Sequence, residues 1–101
     1  MGFLSNLYEI VQLDGFDCKI MFSTSKHPIF KAHFPTNPIL PGFIQIDICE
    51  EIFNLKINKI KKAKFLNIIK PEDIIDINLN ISKKKIVLLK ETTKMSEIIY
   101  E

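Results

Sequence analysis

Residues 27–47 read HPIFKAHFPTNPILPGFIQID, and this stretch decides the architecture. Pro28, Pro35, Pro38 and Pro41 forbid a helix interior or a central strand, so residues 24–42 are predicted to be irregular. Ile29, Phe30, Phe34, Ile39 and Leu40 are too apolar for a disordered linker. A proline-pinned loop of this length inside a compact domain is usually functional. It ends at Pro41, where a missing N–H is tolerated, and the spacing predicts one long helix over 42–55.

On that helix Ile44, Ile48, Ile52 and Leu55 fall on one side, with Ile46, Cys49 and Phe53 alongside. Asp47, Glu50, Glu51 and Asn54 fall opposite. Outward from the helix the chain alternates. Residues 7–13 and 16–23 flank Asp14-Gly15 as a hairpin, with Phe16, Cys18, Ile20 and Phe22 on one face. Residues 59–67, 74–81, 85–92 and 95–100 read as further strands, and Ile75, Ile77, Leu79 and Ile81 share a face. The order β-β-loop-helix-β-β-β-β predicts an α+β fold, an antiparallel sheet with one long helix packed on it. Its 101 residues suit a single domain over 1–101, small enough to gain from oligomerisation.

Composition excludes several classes. A net charge of +2 is too weak to indicate nucleic acid. No run approaches the ~20 apolar residues of a membrane span. Asn6, Glu9 and Asp14 interrupt any leader-like stretch. Cys18 and Cys49 sit among apolar neighbours without metal-site spacing, as expected of a reduced, cytoplasmic protein without a bound metal. Lysines gather at 56, 59, 61, 62 and 64 and again at 83–85. Such runs commonly mark solvated strand ends and turns. They would equally speed encounter with an acidic partner.

The chemistry-bearing groups lie in the opening stretch. His33 stands on the rigid loop, and Asp47 about a turn and a half into the helix. The helix start exposes unpaired N–H groups and the positive end of its dipole. An imidazole, a carboxylate and such a helix start suffice for proton abstraction beside a carbonyl. Pattern alone leaves other readings open. A loop histidine is more often structural, as His27 beside Pro28 is read here, and Asp47 could simply be solvated with its acidic neighbours.

His33-Phe34-Pro35, Pro38 and Pro41-Gly42 match the HFPxxPxxPG signature, so the chain resembles the 3-hydroxyacyl-[acyl-carrier-protein] dehydratases, a hotdog-fold family. Lys62-Ala-Lys-Phe65 and Lys70-Pro71-Glu72-Asp73 resemble that family's KARF…PGD strand and turn, with Glu72 in place of glycine. Residues 38–47, PILPGFIQID, are closer still to the short dehydratase-like proteins of aryl-polyene biosynthesis. The resemblance implies a sheet wrapped around one central helix, with the site shared between two subunits. It implies His33 as the base that takes the α-proton and Asp47 as the acid that protonates the departing 3-hydroxyl. The Gly42 amide would hold the thioester carbonyl. Phe34, Pro41, Phe43 and Gln45 would line the substrate path. No cofactor is implied. The implied partners are an acyl carrier protein bearing a 3-hydroxyacyl chain and a second copy of the chain, or a different hotdog subunit.

Two departures stand out. Asp47 occupies a position where glutamate is usual, one methylene longer, and a misplacement of ~1 Å can cost about 10²-fold in rate. Thr36-Asn37 replaces the common Gly-Arg. A thioesterase on the same fold is the competing activity, since fold alone does not fix chemistry.

Overall fold

The computed structural model describes residues 4–32 and 37–101. In chain order its elements are β1 (Tyr8–Asp14), β2 (Asp17–Phe22), α1 (Pro28–Ala32), α2 (Gly42–Phe53), β3 (Ile60–Phe65), β4 (Ile74–Asn80), β5 (Lys85–Lys90) and β6 (Thr93–Tyr100). The strands form one six-stranded sheet in the order β1-β2-β4-β5-β6-β3, and every neighbouring pair is antiparallel.

Period-two alternation sends one side of each central strand inward. Cys18, Ile20 and Phe22 of β2, Ile75, Ile77 and Leu79 of β4, Ile86 and Leu88 of β5, and Ile98 of β6 are buried. Against them α2 sets Ile44, Ile48 and Cys49, joining one core. Truncating a residue such as Ile48 to alanine in such a core costs about 2–5 kcal/mol. The helix ends at Asn54, whose left-handed backbone (φ 52°) places its N–H on the Glu50 carbonyl.

Four expectations need correction. The loop over 24–42 contains a helix, α1, because Pro28 occupies its first turn, where no N–H is required. His27 caps it: Nδ1 accepts the Ile29 N–H at 3.1 Å, leaving Nε2–H to donate to the Ser5 carbonyl at 2.8 Å. Phe16 does not join the inner face, for Asp14 pairs with Asp17 and the two-residue turn Gly15-Phe16 leaves its ring 54 % exposed. Gly15, at φ 62°, supplies the left-handed position that this turn needs. Ile81 lies beyond β4 in the following turn and is likewise exposed. The last hairpin turns at Glu91-Thr92, so β6 starts at Thr93 rather than 95.

The lysine run 83–85 lies at the β4–β5 turn. Asn80 Oδ1 accepts from Ser82 Oγ at 2.9 Å and from the Lys83 N–H at 3.0 Å. Lys85 pairs with Glu97 at 3.2 Å. Lys56, Lys59, Lys61, Lys62 and Lys64 are exposed on β3 and its approach. No described helix is long and apolar enough to cross a membrane.

Candidate active site

Residues 33–36 lie outside the described residues, and with them fall His33 and Phe34, the expected base and one expected lining residue. The chain on either side is anchored. Before them, Ile29 and Phe30 of α1 are buried, and Phe30 meets Phe22 edge to face with ring centroids 6.4 Å apart. After them, Leu40 is buried and its N–H donates to the Ile69 carbonyl at 2.8 Å.

From Leu40 the chain passes straight into α2. Pro41 is its N-cap, with extended backbone and no side-chain cap. Ile44 and Gln45 donate to the Pro41 carbonyl at 3.2 and 3.4 Å. Among the described residues no acceptor meets the Gly42 N–H, one of the orphan donors of a helix start. A β-carbon on Gly42 would lie 2.6 Å from Cζ of Phe65, so the β3 ring packs directly on this glycine. Phe43 is 58 % exposed beside it, and Pro41 is partly exposed.

The acidic face of α2 divides by partner. The Tyr8 hydroxyl donates to Glu51 Oε1, tying β1 to the helix, and burial followed by that contact pushes the phenol pKa up. Glu50 Oε2 accepts the Ile57 N–H at 2.9 Å beyond the helix end. Asp47 is partly buried and its carboxyl makes no hydrogen bond among the described residues. Burial raises its pKa above the usual carboxylate value, and the neighbouring Glu50 charge raises it further. Of these three acids, Asp47 is the one whose carboxyl makes no hydrogen bond among the described residues.

Gln45 was expected to bind substrate or to support the site or the interface. It is 3 % exposed against the sheet, where its Oε1 accepts from Ser96 Oγ at 2.5 Å. Ser96 is itself fully buried. Sequence reasoning missed this partner, 51 positions away, because the polar residue at 96 reads as one more outward position in a short strand.

An antiparallel six-stranded sheet holding one central helix, with a half-buried acid near the helix start, defines a hotdog-type α+β protein. The fold is similar to that of the dehydratase heterocomplex ApeI:P from Xenorhabdus doucetiae, with a TM-score of 0.69, 20 % identity and 92 % of each chain covered. Residues 14–98 match the ApeI-like family, described as ApeI dehydratase, and the chain belongs to that family.

Curated relatives include the 3-hydroxyacyl-[acyl-carrier-protein] dehydratase FabZ of Caldanaerobacter subterraneus subsp. tengcongensis, 24 % identical over 75 % of this chain and 64 % of the relative. The FabZ of Pediococcus pentosaceus is 28 % identical over 84 % of this chain and 71 % of the relative. The chain spans only about half the length of several other relatives, such as that of Lactiplantibacillus plantarum at 51 %.

Proposed function

We propose that this chain, as a single hotdog domain over 1–101, dehydrates 3-hydroxyacyl thioesters carried on an acyl carrier protein to trans-2-enoyl thioesters. The observation that carries the reading is Asp47: a family position for the acid, half-buried, its carboxyl without a hydrogen bond among the described residues and its pKa raised. An acid held protonated more readily than usual suits delivery of a proton to a leaving hydroxyl. His33, at the histidine of the HFPxxPxxPG motif, takes the α-proton. The Gly42 N–H at the helix start, without an acceptor among the described residues, stabilises the enolate oxygen. The C3–O bond then breaks, and water leaves as the enoyl thioester forms.

The site is completed by a second subunit. Phe43, Phe65, Leu66 and Ile68 are exposed around the start of α2 and the end of edge strand β3, an apolar group that suits an interface and the acyl path along it. The exposed lysines of β3 suit an acidic carrier. A homodimer is the first reading. A pair with a different hotdog chain is the second, favoured by the heterocomplex in which the ApeI structural counterpart was solved. Native mass separates the two.

The test is a spectrophotometric assay with a 3-hydroxyacyl thioester and, in parallel, a free-thiol reagent. Rising enoyl absorbance without thiol release, abolished in His33→Ala, is the expected result. Thiol release without enoyl formation would replace the dehydratase reading by a thioesterase.

A further inference from the structure

We infer that Gln45 and Ser96 are positioning residues, a buried polar pair that sets the rotation of α2 and so aims both the Gly42 N–H and the Asp47 carboxyl. The inference rests on the dehydratase reading for what is being aimed.

Gly42, Gln45 and Cys49 follow one another at helical spacing and form the stripe of α2 that meets the sheet. Cys49 is fully buried in the core. Gln45 is bonded to Ser96, and Gly42 is covered by the Phe65 ring. The two sheet contacts are not independent, because Phe65 of β3 and Ser96 of β6 are cross-strand partners. The register of β6 on β5 slips at this point, Leu88 opposing Ser96 while Leu89 opposes Lys94, so Met95 is the extra residue of a bulge. Its carbonyl accepts the N–H groups of Leu66 and Asn67 at 2.9 and 3.1 Å, which pins the chain just after Phe65.

A purely apolar pair would hold the helix to the sheet equally well but would leave its rotation soft. A single short hydrogen bond between two fully buried side chains allows one angle. Asp47 lies two residues from Gln45, on the far side of the helix, so any rotation that breaks the pair swings the carboxyl in the opposite sense.

The experiment uses the full chain and three variants: Gln45→Met, Ser96→Ala and both together. Each single change strands a buried polar group and is expected to lower stability. The double change removes both partners, so its melting temperature returns close to that of the parent chain. In that stable double variant kcat is expected to fall about tenfold or more while KM stays within about twofold, as for a misaimed site. Nitrogen-15 order parameters of Gly42 to Ile46 are expected to drop from rigid values near ~0.85. A double variant with parental kcat and parental order parameters would overturn the inference, since the pair would then only fill the core. Should the parent chain form no enoyl thioester, the dehydratase reading fails by itself, and the order parameters still decide whether the pair holds the helix start.

Discussion

The Phe65 ring of β3 occupies the space that a side chain at Gly42 would need, with Cζ 2.6 Å and Cε2 2.7 Å from the position of an added β-carbon. The helix start can therefore come this close to the sheet only with glycine at its first position. Gly42→Ala forces either the ring or the helix start to move. The ring is the softer of the two, being 47 % exposed, so the fold survives. Turnover is expected to fall by about 10–10²-fold through displacement of the Gly42 N–H. Gly42→Ala/Phe65→Leu, which clears the space, is expected to recover part of that loss. Steady-state rates of the three chains check it, and a double variant no better than Gly42→Ala would argue against the packing as the cause.

Asp47 should betray its environment in the pH profile. Its folded-state pKa lies above the ordinary value, through burial first and the Glu50 charge second. In the proposed role its acidic form is the active one, so kcat is expected to decline as pH rises through a midpoint above the usual aspartate value. Glu50→Gln removes one of the two causes and is expected to move that midpoint down.

The same shift has a sign for stability. A raised folded-state value means that the fold favours protonated Asp47. That contribution is complete below the unfolded value and is lost as pH rises through the folded one. Asp47→Asn, which mimics the neutral acid, is expected to be more stable than the parent at neutral pH and equal to it in acid. Urea titrations of the two chains at both pH values measure the difference.

Glu72 lies in the turn Lys70-Pro71-Glu72-Asp73 with φ 68°, a left-handed position that glycine fills without strain. The turn closes regardless: the Lys70 N–H donates to Asp73 Oδ2 at 2.8 Å, and Lys90 Nζ lies 2.9 Å from Oδ1. The Glu72 N–H meets the Ser23 carbonyl at 3.0 Å. Glu72→Gly is expected to stabilise the chain by about 1 kcal/mol, seen as a few degrees in Tm. An unchanged or lower Tm would mean that the side chain compensates for its backbone.

Both thiols should be silent. Burial pushes the Cys49 pKa up to about 12 and raises that of Cys18, so neither supplies thiolate near neutral pH. A maleimide is expected to label neither in the native chain and both after unfolding, as mass spectrometry would show.

Much of this was legible in the residues. The strict alternation of 74–81 and the apolar arc of 42–55 placed the central strand and the helix within two residues of where they lie. Pro41-Gly42 marked the helix start. What escaped notice depends on distance or on competing signals. Pro28 reads as a helix breaker until His27 is seen capping the turn that follows it. The Met95 bulge and the Gln45–Ser96 bond arise from strand register, which local pattern does not encode. Tyr8 and Glu51 meet only because β1 folds across the helix.

One measurement bears most directly on Asp47 as the acid of a dehydratase. A carrier protein loaded with a 3-hydroxyacyl chain is incubated with the purified protein and with Asp47→Asn, and the carrier is then weighed by mass spectrometry. Loss of one water with the parent chain, slowed at least about 10²-fold in the variant, is the expected result. A folded parent chain that leaves the mass unchanged, or a variant that keeps pace with it, would contradict the assignment.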